Sequence, residues 1–286
     1  MLWLLVSTMN WLIPKIYSMN TTPEFFETGE HELAKHFLEN GFVIQAVEDR
    51  ESLEQIRQLA TTAAGEYLGV ESDKPVEFLN NIHREITAQD LNDLRLSVIG
   101  KLNADPASRC RYYSLARKLL AALVGNELAM QLRLNLSIQL PGDDSSLLPV
   151  HADVWSGDSP YEVVVWLPLV DCYDSKSMFL LPPEHAQSLH ECFSDYREKS
   201  SEDLYRDIEA NLQWIEIKYG EILVFNQNLP HGNRVNEEGE TRWSLNCRFK
   251  SVFSPYGDKK LGEFFEPVTL RPASRIGMQY RYPEIQ

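Results

Sequence analysis

The residues best suited to chemistry stand at His151-Ala152-Asp153, His231-Gly232 and Arg242-Trp243-Ser244. Residues 148–153 read as a strand, and a side-chain period of two then puts His151 and Asp153 on one face. An imidazole beside a carboxylate supplies two of the three ligands of a 2-His-1-carboxylate facial triad, which holds non-haem Fe(II) and leaves positions open. Such a pair is more often a structural hydrogen bond, so a second histidine must decide. His31 and His36 sit on an amphipathic helix and His83 in a polar stretch, which suits solvated roles. His185 and His190 open a helical insert after Pro182-Pro183, which suits surface or capping roles. His231 differs, because it follows a turn and a buried strand at Gly220-Glu221-Ile222-Leu223-Val224-Phe225 and is followed at once by Gly232. Eleven residues later come Arg242 and Ser244, which share a strand face. A guanidinium fork and a hydroxyl make a receptor for a carboxylate at the bottom of an apolar barrel. The alternative is an internal ion pair, since a buried arginine needs an anion.

Elements must bring these residues together. The first half reads as helical: 31–40, with Leu33, Ala34, Phe37 and Leu38 at helical spacing and a stop at Gly41; 52–68, with a stripe of Leu53, Ile56, Leu59, Ala60 and Ala63; then 88–102, with Thr87 as N-cap, and 108–124. A short strand is expected over 42–47. From about Leu132 the period changes to that of strands, at 133–140, 148–153, 162–170, 178–181, 212–217, 222–225 and 242–249. Pro141-Gly142-Asp143-Asp144 and Glu237-Glu238-Gly239-Glu240 mark turns, and a helical insert interrupts the series near 183–211. The pattern predicts an α+β domain whose strands close into a sandwich or jelly roll, with the strand order unread. No repeat, low-complexity tract or linker divides the chain, so one domain is expected.

Taken in order, these pieces resemble the Fe(II)/2-oxoglutarate-dependent dioxygenases, and more narrowly the phytanoyl-CoA hydroxylase type. The resemblance runs over 132–249. It rests on His151-Ala152-Asp153, on Ser177-Met178-Phe179-Leu180-Leu181-Pro182-Pro183-Glu184-His185, on Gly220-Glu221, on Leu229-Pro230-His231-Gly232, on Asn236 and on Arg242-Trp243-Ser244. Asp171-Cys172-Tyr173, Ser175-Lys176-Ser177 and the run from His151 to Pro160 are similar to oxygenases associated with bacterial carbohydrate-biosynthesis clusters. Pro183-Glu184 departs from the Gly-Ser of the family's turn, so His185 takes no family role. The presence of Asp153 is unlike the related halogenases, which carry a small residue there.

The resemblance implies one dioxygenase domain over 1–286: helical support at 1–131, a double-stranded β-helix (jelly-roll) core at 132–252 and a C-terminal extension at 253–286. It implies Fe(II) on His151, Asp153 and His231. It also implies 2-oxoglutarate chelated to the metal, with its distal carboxylate on Arg242 and Ser244. On 133–140 the polar face is Arg133, Asn135, Ser137 and Gln139. If that face points inward, Asn135, Ser137 or Gln139 reaches the ligands or the cosubstrate; if the leucine face does, these groups meet solvent. Gln139 joins the expected 2-oxoglutarate site. Trp155, Asn228 and Arg248 are the expected substrate contacts, with Asn226 and Arg234 nearby, and rings with amides suit a sugar. The alternative for each is structural, Trp155 as core and the asparagines as turn formers. The expected activity is oxidation of a small metabolite by O2, hydroxylation first, with a sugar or glycan precursor as the narrower reading. The competing readings are a cupin-like metal- or ligand-binding barrel without oxygenase activity and a purely structural protein.

Composition agrees with this class. The 286 residues are 43% hydrophobic and 24% charged, as in globular chains, and the net charge of −15 disfavours nucleic acid and anionic lipid as partners. Cys110, Cys172, Cys192 and Cys247 form no CxxC pair and no disulfide framework, which suits a reducing cytoplasm. The apolar stretch 1–13 is interrupted by Ser7, Thr8 and Asn10, too short to span a bilayer and without a basic n-region. It reads as an N-terminal helix, as an over-extended reading frame starting in truth at Met9 or Met19, or as a membrane-associating segment.

Overall fold

The computed structural model describes residues 25–283, and the stretch 1–13 lies outside them. Helix α1 (Thr28–Asn40) ends at Gly41, whose φ of 77° is left-handed and whose added Cβ would lie 2.2 Å from Leu229 Cδ1. Strand β1 (Phe42–Ala46) follows, then α2 (Arg50–Leu68), capped by the Asp49 carboxylate on Ser52 N–H and burying Leu53, Ile56, Ala60 and Ala63. A short helix unforeseen in the sequence, α3 (Pro75–Asn81), starts on Pro75. Helix α4 (Leu91–Ala104) begins later than expected, because Thr87 and Asp90 bond to each other in a turn before it. The expected helix 108–124 is two, α5 (Ser108–Ser114) and α6 (Arg117–Leu123). The Glu48 carboxylate accepts from the N–H groups of Lys118 and Leu119 and so starts α6 afresh.

The strands are β2 (Leu128–Gln131), β3 (Asn135–Gln139), β4 (Glu162–Pro168), β5 (Phe179–Leu180), β6 (Gln213–Trp214), β7 (Glu221–Asn226), β8 (His231–Gly232), β9 (Arg242–Ser251) and β10 (Phe265–Pro267). Helices α7 (Pro183–Glu191) and α8 (Ser201–Ile208) form the insert, and α9 (Pro272–Gln279) follows β10. A seven-stranded antiparallel sheet runs β1-β7-β4-β9-β2-β10, with β3 also paired to β9, and a second sheet runs β6-β5-β8. The large sheet draws β1 and β2 from the helical front and β10 from the C-terminal extension, so strands from both flanks complete what 132–252 supplies.

Strand alternation sets the layers. From β4, Val163, Val165 and Leu167 join Leu53, Ile56, Val98 and Leu102 in the core under the helices, while Val164 and Trp166 turn to the small sheet with Met178, Leu180, Leu223 and Phe225. From β9, Trp243, Leu245, Cys247 and Phe249 enter the helix-side core, which leaves Arg242, Ser244, Asn246 and Arg248 facing the space between the sheets. On β3 both expectations about its faces are resolved together. Leu134, Leu136, Ile138 and Leu140 pack in the helix-side core rather than toward solvent, and the polar face looks between the sheets. Fully buried Tyr112 binds the sheet to the helices through its hydroxyl, which donates toward the carbonyls of Val165 (2.9 Å) and Leu245 (3.2 Å). Tyr112→Phe is expected to lower stability by about 1 kcal/mol, read as a shift of the urea midpoint with an unchanged slope.

Candidate metal centre

His151 and His231 meet through the backbone. Residue 231 pairs with Leu180 on one side and forms an isolated antiparallel bridge with His151 on the other, exchanging main-chain hydrogen bonds of 3.0 and 2.8 Å. Gly232 permits this approach, since a Cβ there would lie 2.7 Å from the Leu148 carbonyl. Residues 148–153 are not the continuous strand expected. Only His151 bridges, and the chain turns into a 3₁₀ turn at Asp153–Ser156. Pro149 has no N–H for a ladder, and the Asp153 N–H is taken by the Gln227 carbonyl at 3.2 Å. His151 and Asp153 nonetheless face the same point.

One ligand atom from each of His151, Asp153 and His231 lies within 4.8 Å of the others. Asp153 Oδ1 is 3.5 Å from His151 Nε2 and 4.0 Å from His231 Nε2. Each Nδ1 lies 2.8 Å from a carbonyl two residues upstream, that of Pro149 for His151 and of Leu229 for His231. A carbonyl only accepts, so both Nδ1 atoms carry the proton and both Nε2 lone pairs point inward. That arrangement is how metal-binding histidines are held, and the donor set suits a divalent transition ion. Burial pushes His231 down to about 4. Burial would raise Asp153, but the charge of Arg248 and its two hydrogen bonds outweigh it and hold the carboxyl well below its usual range. The site sets one carboxylate oxygen against the Nε2 atoms of two imidazoles.

The triad stands in a cavity of about 300 Å³ between the sheets, at the small end of ligand pockets. Ser137, Val164, Trp166, Phe225, Arg242 and Asn246 line its walls, and Arg95, Ser145 and Ser146 its rim. Arg242 is 2% exposed. It donates to the Ser177 carbonyl (2.8 Å) and to Ser137 Oγ (2.9 Å), and its Nε has no partner. Among the described residues no carboxylate pairs with it, so the ion-pair alternative is not what the chain built; burial alone pulls its pKa down to about 10. Ser244 Oγ and Gln139 Oε1 are likewise buried without partners, and Gln139 lies directly across from Arg242 on β3. Neither Ser244 nor Gln139 lines the cavity, but the buried Arg242 guanidinium does, and a buried cation without a carboxylate partner suits an anionic ligand.

The remaining expected residues divide. Arg248 reaches the cavity, as its strand parity predicts, with its guanidinium on Asp153 Oδ2 (2.8 and 3.2 Å). Trp155 does not line the cavity; the 3₁₀ turn carries it onto Phe193, with ring centroids 4.7 Å apart. Asn228 does not line it either, because its amide donates to the Pro160 carbonyl in a turn. Arg234 is paired with Glu202, and His185 sits on α7 beside Glu184. Sequence reasoning passed over Asn246, which shares the face of Arg242 and was open to the same argument. It also passed over Arg95, whose place on the rim has no local signal.

No protein-family model matches the chain, and no curated protein matches it. Solved structures do. The non-heme monooxygenase ThoJ, as its Ni complex, is 19% identical over 85% of each chain with a TM-score of 0.54. SnoK, a non-heme alpha ketoglutarate dependent carbocyclase from nogalamycin biosynthesis, is 17% identical over 87% of this chain and 99% of its own, at 0.53. EctD from S. alaskensis, with 2-oxoglutarate and 5-hydroxyectoine, is 15% identical over 83% and 80%, at 0.51. What this chain shares with them is the fold. Among the described residues no helix is long and apolar enough to cross a membrane.

Proposed function

We propose that this protein is an Fe(II)- and 2-oxoglutarate-dependent oxygenase, of the phytanoyl-CoA hydroxylase-like kind, built on a double-stranded β-helix and acting on a small molecule. The observation that carries the reading is the pairing of a His-Asp-His cluster with a buried arginine that has no carboxylate partner among the described residues, in one cavity. His151, Asp153 and His231 would hold the iron, and the two upstream carbonyls keep both imidazole rings in place. Arg242 receives the distal carboxylate of 2-oxoglutarate as a charge-assisted pair, with Ser244 adding a hydrogen bond. Ser137 and the Ser177 carbonyl keep the Arg242 fork in plane, and Gln139 stands opposite Arg242 on β3 with its Oε1 unbonded. When bound, iron and 2-oxoglutarate supply the oxidising chemistry, with O2 consumed and succinate and CO2 released. The chain's residues bind and orient these groups, while Trp166, Val164 and Phe225 keep water from the wall beside them.

The narrower reading is hydroxylation of a sugar or glycan precursor. Trp155 and Asn228 no longer support it; Ser145, Ser146 and Asn246 on the cavity lining do, as polar groups suited to hydroxyls. A cytoplasmic setting is supported by four free cysteines, Cys172 and Cys247 buried in the core. The deciding experiment incubates purified protein with Fe(II), 2-oxoglutarate, O2 and panels of sugars, sugar nucleotides and acyl compounds, and follows succinate and product mass. Iron-dependent succinate with one added oxygen on a substrate is expected. A protein that binds neither iron nor 2-oxoglutarate sinks the reading.

A further inference from the structure

The cavity face of β9 ends in an arginine whose guanidinium is engaged by protein. Arg248 Nε and Nη2 both donate to one oxygen of Asp153, Oδ2, at 3.2 and 2.8 Å, while the other oxygen, Oδ1, faces the two imidazoles. The same Nε donates to Gln227 Oε1 at 3.2 Å, and the Gln227 carbonyl accepts from the Asp153 N–H. One glutamine therefore holds both the backbone of the acid and the arginine on its side chain. Its amide nitrogen is fixed in turn on the Ser159 carbonyl (2.9 Å) and Glu162 (3.1 Å). Behind Arg248 stands Asp158, 3.7 Å from Nε and bound by Lys259 at 2.6 Å. The C-terminal segment that carries Lys259 is pressed onto this loop. A Cβ on Gly257 would lie 2.2 Å from the Gly157 carbonyl, the Asp258 N–H donates to that carbonyl, and Ser159 Oγ donates to the Pro255 carbonyl.

We propose that Arg248 is a positioning residue that restricts Asp153 to metal binding through Oδ1 alone, and that Lys259 on the C-terminal segment sets Arg248 through Asp158. The inference rests on the metal reading of this cavity and deepens it. A free carboxylate swings about its last bond and offers both oxygens to an ion; a carboxylate with one oxygen bound by two N–H groups of a rigid fork does not. With Oδ2 held by Arg248, only Oδ1 would be offered to an ion between the imidazoles. The two carboxylates are nearly enclosed, Asp153 at 8% and Asp158 at 1% exposure, so water is a poor substitute for the arginine.

Co(II) titration of the whole protein tests this without turnover, because its visible absorption reports the ligand geometry. Arg248→Met is expected to weaken Co(II) binding about 10- to 100-fold, as loss of a partner to a metal ligand does, and to change the band shape. Arg248→Lys, which keeps the charge but not the fork, is expected to fall between, and Lys259→Met to move both readouts slightly in the same direction. Folded Arg248→Met with wild-type affinity and spectrum overturns the proposal, as does tighter binding with an unchanged spectrum. Should Arg248→Met fail to fold, Arg248→Lys carries the same comparison, and wild-type behaviour there overturns it. Wild-type protein that binds no Co(II) sinks the metal reading itself, a result distinct from either.

Discussion

Asp153→Ala is expected to abolish iron-dependent conversion of 2-oxoglutarate to succinate. Changing a partner of a metal ligand costs about 10- to 100-fold in metal affinity or activity, so losing a ligand should cost more than about 100-fold. Here the loss is compounded, because Asp153 would supply the one carboxylate of the set and its Oδ1 is 3.5 and 4.0 Å from the two imidazoles. The fold should survive, since Arg248 retains Asp158 and Gln227 as partners and the His151–His231 bridge is made by backbone. Circular dichroism with metal analysis checks both halves of this expectation. Full activity in a well-folded Asp153→Ala protein would remove the triad from the mechanism.

Arg242→Ala should leave the metal in place and remove the cosubstrate. Truncating one partner of a buried charge pair costs about 2–5 kcal/mol, so 2-oxoglutarate affinity should drop by roughly 30-fold to several thousand-fold, while Co(II) affinity stays within a few-fold. Arg242→Lys should recover part of the loss, because the charge returns without the planar fork that now spans the Ser177 carbonyl and Ser137. Titrating 2-oxoglutarate into the metal-loaded variants measures the effect. The outcome also separates two kinds of protein. A metal-binding barrel without oxygenase activity has no need of an anion anchor, and undiminished 2-oxoglutarate affinity in Arg242→Ala would favour it.

Much of the site was open to reading because strand periodicity survives tertiary folding. The alternation Arg242, Ser244, Asn246, Arg248 against Trp243, Leu245, Cys247, Phe249 places one set toward the cavity and the other in the helix-side core. His231 stood out through its context, and the backbone reason for Gly232 appears only once Leu148 is seen against it. Trp155 follows Asp153 closely in sequence but lies away from the cavity, because a single 3₁₀ turn rotates it onto Phe193. Asn228 misled because an amide next to a candidate ligand serves equally well to close a turn.

By itself the amino-acid sequence determined which side chains share a face and which residue types could ligate or anchor, since a strand's period and a side chain's donors are local properties. Only the tertiary structure decided that 151 and 231, eighty positions apart, would exchange main-chain hydrogen bonds, that Arg242 would find no carboxylate among the described residues, and that Arg248 would grip one oxygen of Asp153. Main-chain pairing is made by groups that every residue carries, so its long-range partners leave almost no mark on composition or spacing. The chemistry of the cavity was written in side chains, and its geometry in backbone contacts that have no sequence signature.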